Sequence, residues 1–115
     1  MIVDDSPVFR PSAQALLERR GYQVVGASSS MTAAVPLARA LRPTGALVDV
    51  LLPDGCGFDL VARLERAAPG IAVLMMSTHD HDGTAYSRAE SSGARGFVLK
   101  SQLASCDLGT FLPPR

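Results

Sequence analysis

Ala46-Leu47-Val48-Asp49-Val50-Leu51-Leu52-Pro53-Asp54-Gly55-Cys56-Gly57 is the stretch that decides the fold. A strand over residues 46–50 runs into a turn-rich loop. Residues 58–67 then show helical periodicity up to a Pro69-Gly70 stop. An unbroken apolar run at 71–76 follows, the pattern of a strand covered on both faces. Strand, helix and strand in this order make a parallel crossover unit. Toward the N-terminus, 1–3 reads as a short strand and 8–20 as a helix, with Ser6 as N-cap, Pro7 as first helical residue and Gly21 as stop. Pro11 must fall in that helix's first turn. Residues 22–27 read as the second strand and 31–41 as the second helix, where Pro36 predicts a kink or a late start. Toward the C-terminus come a weakly apolar helix at 83–92 stopped by Gly93, a fifth strand at 94–99, and a short final helix at 103–112. The expected fold is α/β: a single-domain, doubly wound (βα)5 with a five-stranded parallel sheet and helices on both faces.

The composition narrows the function classes. With 115 residues, 47% apolar and 19% charged, the chain is one domain with room for a single core. Its formal net charge is zero, so no basic excess favours nucleic acid and no basic stripe replaces a DNA-binding module. The longest apolar runs are far too short to span a bilayer, and no leader pattern opens the chain. A cytoplasmic protein with no membrane partner is expected. Cys56 and Cys106 lack CxxC or Cys/His spacing and read as reduced thiols.

Charge placement carries the chemistry. Asp4, Asp5 and Asp49 each follow an apolar run, and Lys100 ends a fourth run at 96–99. A residue just past a buried parallel strand sits at the sheet's carboxyl edge, where open α/β folds bind ligands. Three carboxylates converging there repel one another unless a cation sits among them, and Mg²⁺ takes such ligands together with phosphate oxygens. A carboxylate is also a nucleophile towards phosphorus, and a metal with a lysine neutralises the transferred group. Ser77 or Thr78, after the fourth strand, adds a hydroxyl at the same edge. Taken singly, these residues read as loop, cap and surface groups; together on four strand ends they read as a site for reversible carboxylate phosphorylation.

At these residues the chain resembles a bacterial response-regulator receiver domain, over essentially its full length. The motifs are Ile2-Val3-Asp4-Asp5-Ser6, Leu47 through Gly57, Leu74-Met75-Met76-Ser77-Thr78, and Gly93-Ala94-Arg95-Gly96-Phe97-Val98-Leu99-Lys100-Ser101. The resemblance implies a flavodoxin-like sheet of strand order 2-1-3-4-5, with Asp49 accepting phosphate from a sensor histidine kinase of a two-component system. It implies Mg²⁺ bound by Asp5, Asp49 and the backbone carbonyl of Leu51, with Asp4 helping through water. Lys100 and Ser77 would bind the phosphoryl group, Ser77 and Phe97 would act as the switch pair, and Pro53 and Gly57 match the loop after the acceptor. Phosphorylation would remodel the surface of helix four, strand five and helix five, with a homodimer on phosphorylation as an expected partner state. The domain would not be an enzyme beyond its own phosphorylation and dephosphorylation.

Departures from the family pattern refine these expectations. Ser101, where many receivers have proline, resembles the subgroup usually fused to helix-turn-helix output modules of the LuxR/NarL type. Leu51 and His79 occupy the positions that tune phosphate lifetime, and apolar Leu51 should hinder an attacking water. Only three residues precede Asp4, and Pro113-Pro114 ends helix five early, so the expected domain, 1–115, looks clipped at its N-terminus and in its last helix. Rival readings are a small Mg²⁺-dependent aspartyl-phosphate phosphohydrolase, a flavodoxin-like cofactor binder, and a degenerate receiver acting only through protein contacts. The hydrolase pattern wants a second acid two residues after the nucleophile, where Asp4 has Ser6 and Asp49 has Leu51. The cofactor binder wants a phosphate loop, where Asp4-Asp5-Ser6-Pro7 would repel a phosphate lacking a metal.

Overall fold

Gly45–Asp49 forms β3 and Ala72–Ser77 forms β6, and their parallel register, from Gly45 against Ala72 to Asp49 against Met76, is the spine of the sheet. The computed structural model describes residues 1–80 and 82–113. On one flank, β1 (Ile2–Val3) pairs with β3 and with β2 (Ala27–Ser28). On the other, β7 (Gly96–Leu99) pairs with β6. The order β2-β1-β3-β6-β7 is parallel throughout. It becomes the expected 2-1-3-4-5 once a small antiparallel pair, β4 (Leu51–Leu52) with β5 (Gly55–Cys56), is counted apart. That pair lies inside the loop read from sequence only as turn-rich.

Strand alternation divides the core. Val3, Val48 and Met75 face α2 (Met31–Leu41), α3 (Gly57–Ala67) and α4 (Ala85–Ser92), joining Ala34, Leu60, Leu64 and Ala89. Ile2, Leu47, Leu74 and Met76 face α1 (Phe9–Arg19) and the C-terminal segment, joining Ala13, Leu17, Leu103 and Leu108. The large apolar side chains of β6 are essentially inaccessible, each worth roughly 1.5–3 kcal/mol of burial. Six successive buried residues explain why this strand read as a continuous apolar run.

Three sequence expectations change. The second strand, expected at 22–27, is only Ala27–Ser28. This edge strand has one ladder neighbour, the two-residue β1, and periodicity cannot create strand pairing without a partner backbone. The final helix, expected at 103–112, is two 3₁₀ segments, Lys100–Ser105 and Leu108–Thr110. Cys106 between them is extended, with ψ 141°, and Ser105, Asp107 and Gly109 are weak helix formers. The fold is therefore (βα)4 followed by a fifth strand and 3₁₀ turns. Pro36 imposes no late start: α2 begins at Met31, its Ser30 cap accepts from the Ala33 N–H, and Pro36 lies inside it.

Ser6 is not the N-cap and Pro7 not the first helical residue: both precede the helix, Val8 stands at the cap position and Pro7 and Val8 lie in a turn, although the Ser6 hydroxyl still accepts from the Phe9 N–H at 3.0 Å. The far end of α1 is tied to the C-terminal segment. The Arg20 guanidinium donates to the carbonyls of Ala104 and Cys106, and the Tyr22 hydroxyl to the Leu112 carbonyl. Gly96 leaves room for that segment, since a Cβ there would meet the Phe111 ring at 2.5 Å.

Candidate functional site

The carboxyl edge of the sheet brings together Asp4 and Asp5 after β1, Asp49 at the end of β3, Ser77 at the end of β6, and Lys100 after β7. One oxygen from each of Asp4, Asp5 and Asp49 lies within 4.8 Å of the other two. Lys100 Nζ is 2.8 Å from Asp4 Oδ2 and 2.9 Å from Asp49 Oδ2. Asp4 is completely buried, Asp49 nearly so, and Asp5 is exposed. Each of the four strand-end charges read from sequence is therefore at one place.

Asp4 is held by one ladder bond and by two bonds from nearby residues. Its N–H donates to the Ser28 carbonyl at 2.9 Å, its Oδ1 accepts from the Ser6 N–H at 2.8 Å, and its carbonyl accepts from Arg10 Nη1 at 2.8 Å. Asp49 is held by the ladder. Its Oδ2 accepts from Lys100 and its Oδ1 from the Leu51 N–H at 3.2 Å. Gly57 braces the Asp49 backbone: its N–H donates to the Val50 carbonyl at 2.6 Å, and a Cβ at this position would collide with the Asp49 carbonyl. Only glycine fits that approach.

Burial lifts the Asp49 carboxyl above its ordinary range, while hydrogen bonds from Lys100 and the Leu51 amide and the Lys100 charge pull the other way. Burial alone would lower the Lys100 ammonium, but hydrogen bonds and charge from Asp4 and Asp49 outweigh it and hold its pKa above the usual value. Asp54 lies beyond the acceptor and folds back onto α2, accepting from the Met31 and Thr32 N–H groups and the Thr32 hydroxyl. Those bonds, the Met31 amide foremost, lower its pKa to about 2.

The residues fit a divalent cation. Carboxylate oxygens within 4.8 Å of one another repel by roughly 3 kcal/mol or more per charged pair at an effective dielectric of about 20. One ammonium among three carboxylates leaves an excess of negative charge. Asp4 Oδ2, fully buried, has Lys100 Nζ at 2.8 Å as its ion-pair partner, and Asp49 Oδ2 shares that one ammonium at 2.9 Å. An all-oxygen acidic cluster with more carboxylates than ammonium groups suits Mg²⁺.

Ser77 is buried at the end of β6, opposite Leu99 of β7. Phe97 is half-buried on β7 opposite Met75 and packs against the core under α3 and α4. Pro53 lies in the turn of the small hairpin, and Leu51 is 71% exposed at the rim. Residue 81, part of the His79-Asp80-His81-Asp82 stretch, lies outside the described residues; Asp80 and Asp82 bond Ala85 and Thr84 at the start of α4. Sequence reasoning missed Arg10, Asp54 and the second face of Phe9, whose ring centroid lies 4.5 Å from Lys100 Nζ. A visible signal existed only for Asp54, an acid beside Pro53 and Gly55 in a turn-rich loop.

A sheet of this order with its acids and lysine at the carboxyl edge defines a doubly wound domain built for anion and metal chemistry. Residues 1–106 match the family model for the response regulator receiver domain, and the chain belongs to that family. The response regulator protein VraR of Staphylococcus saprophyticus is 30% identical over 106 residues, covering 91% of this chain and 50% of VraR. A crystal structure of a LuxR-family two-component response regulator from Aurantimonas is 30% identical with TM-score 0.82, covering 91% of this chain and 75% of that one. A response regulator from Burkholderia pseudomallei, crystallised with a phosphorylated aspartic acid, a calcium ion and citrate, is 28% identical with TM-score 0.83, covering 97% and 65%. The chain spans about half the length of the first curated relatives it matches. It is a receiver domain of the two-component type, with LuxR/NarL-family receivers among its structural neighbours. Among the described residues no helix is long and apolar enough to cross a membrane.

Proposed function

We propose that Asp49 is the phosphoacceptor of a phosphorylation-driven switch spanning residues 1–115, with a sensor histidine kinase as donor. The observation that carries this reading is the Lys100 ammonium, 2.9 Å from Asp49 Oδ2 and 2.8 Å from Asp4 Oδ2, beside an acidic cluster. An Asp49 carboxylate oxygen attacks the donor phosphorus as the bond from phosphorus to the histidine nitrogen breaks, giving an acyl phosphate and free imidazole. Asp5, Asp49 and the Leu51 carbonyl hold Mg²⁺, and Asp4 supports it through water. When bound, the ion supplies positive charge against the phosphoryl oxygens. Lys100 supplies the matching charge from the β7 side, and Pro53 and Gly57 shape the loop behind the acceptor.

The new charge is read by Ser77, which donates to a phosphoryl oxygen and vacates space beside β7. Phe97 then favours an inward rotamer, and the face formed by α4, β7 and the following 3₁₀ turns changes shape. This is a shift between two packings, limited by the differential energy of that contact. The altered face is the surface for homodimerisation. Leu51, 71% exposed at the rim, slows attack by water and lengthens the life of the acyl phosphate; the domain has no other enzymatic role.

Acetyl phosphate with Mg²⁺ tests the assignment. Wild type takes up one phosphoryl group per chain, and Asp49→Asn takes up none while keeping its fold by circular dichroism. Labelling of Asp49→Asn to the wild-type extent sinks the assignment, and multiple turnovers by wild type would mark a phosphohydrolase instead.

A further inference from the structure

We propose that Phe9 is a positioning residue for the reaction at Asp49. Its ring is a platform that keeps the Lys100 ammonium over the acceptor when another cation takes the carboxylates. The proposal rests on the assignment of Asp49 and Lys100 given above. Among the described residues Lys100 Nζ meets three partners: Asp4 Oδ2 at 2.8 Å, Asp49 Oδ2 at 2.9 Å, and the Phe9 ring, whose centroid lies at 4.5 Å. Two of these partners are charged and one is not.

That difference decides what happens as the site fills. A divalent cation held by Asp5 and Asp49, with Asp4 reaching it through water, competes with Lys100 for the carboxylate charge and for the Asp49 oxygens. It does not compete for the ring, because a hard cation seeks oxygen ligands, while an ammonium is attracted by an aromatic face. Lysine has a long, flexible stem and loses much rotamer freedom when held in one geometry. With only carboxylate partners, a displaced Lys100 would swing toward the solvent that already reaches 13% of its side chain. With the ring beneath it, the ammonium stays at the sheet edge, available to a phosphoryl group on Asp49.

The ring itself is well anchored. Phe9 opens α1, its N–H bonded to Ser6 Oγ at 3.0 Å, and the next residue, Arg10, grips the Asp4 carbonyl. Phe9 also packs against the core that contains Ile2, Leu47 and Met76. Helical periodicity assigns it only to that core; its contact with Lys100 arises because the start of α1 and the residue after β7 both reach the carboxyl edge of the sheet.

Phe9→Leu removes the ring and keeps apolar bulk, whereas Phe9→Tyr restores the ring. NMR of the lysine ε-methylene signals in metal-free, unphosphorylated protein reads the platform directly. In wild type and Phe9→Tyr the Lys100 ε-protons are expected upfield through the ring current, and in Phe9→Leu that shift is lost. The upfield shift is expected to persist in wild type with Mg²⁺ and beryllofluoride on Asp49. The rate of labelling by acetyl phosphate at saturating Mg²⁺ is expected to fall about threefold to tenfold in Phe9→Leu and to recover in Phe9→Tyr. An unshifted Lys100 signal in wild type, its loss on beryllofluoride binding, or a Phe9→Leu rate equal to wild type overturns the proposal. So does a Phe9→Tyr rate as low as that of Phe9→Leu. Failure of wild type to label at Asp49 removes the reaction and the positioning role with it. An intact ring-current shift in that case places the error in the acceptor assignment rather than in the platform.

Discussion

Asp49 reaches the site on β3, five residues long and laddered to β1 on one side and β6 on the other, whereas Asp4 reaches it on β1, two residues long. Both grip the same ammonium. The Asp49 side is fixed by backbone pairing and by Gly57 pressed against its carbonyl. The Asp4 side has one further ladder bond, to the Ser28 carbonyl, and is otherwise held by Ser6 and Arg10. A backbone ladder tolerates side-chain change and resists displacement. A side-chain clamp does the reverse, so each half of one site has its own way of failing.

Three substitutions sharpen or break this contrast. Gly57→Ala drives a methyl group into the Asp49 carbonyl, and a loss of about 3 kcal/mol is expected, at the top of the overpacking range, read as a lower urea midpoint. Wild-type stability in that variant would mean that the loop slides and that Asp49 is held no more firmly than Asp4. Lys100→Met strips the shared partner from two buried carboxylates. Allowing for the 13% of the lysine side chain that meets solvent, metal-free protein should lose about 2 kcal/mol. Millimolar Mg²⁺ should recover part of it, because binding to the native state alone adds stability by mass action. A thermal melt that ignores both the substitution and the metal would show that the carboxylates need no counter-ion. Arg10→Gln is the mildest, removing one bond to the Asp4 carbonyl for about 1 kcal/mol. It should weaken Mg²⁺ binding about threefold to tenfold by titration, with hydrogen-exchange protection across β3 and β6 unchanged. Loss of that protection would abolish the distinction between the halves.

The Asp49 half was also the more legible half. An acid between Ala46-Leu47-Val48 and Val50-Leu51-Leu52 has no reason to interrupt an apolar run unless it sits at a strand end, and β3 ends there. The central strands were placed to within a residue or two because burial on both faces leaves a continuous apolar signature. Residues 22–27 misled because strand propensity is local while pairing is not, and β1 offers a partner only to Ala27 and Ser28. The last helix misled because scattered leucines imitate helical spacing even where Asp107 and Gly109 break it. The roles of Arg10, Phe9 and Asp54 were missed for one shared reason, although Asp54 itself stood out in its turn-rich loop. Each acts on an element other than its own, and single-sequence periodicity says which face is apolar but not what that face meets.

Arg20 and Tyr22 clasp carbonyls of Ala104, Cys106 and Leu112, joining groups separated by 84 to 90 positions along the chain. Closing so large a loop yields few contacts until the intervening strands are in place. This seam is therefore expected to knit late during folding, and hydrogen exchange of the Cys106 to Leu112 amides, faster than that of β3 and β6, would show it. A protease meeting the folded domain would find its opening there, at the C-terminal turns, long before it reached the strands that carry the charge.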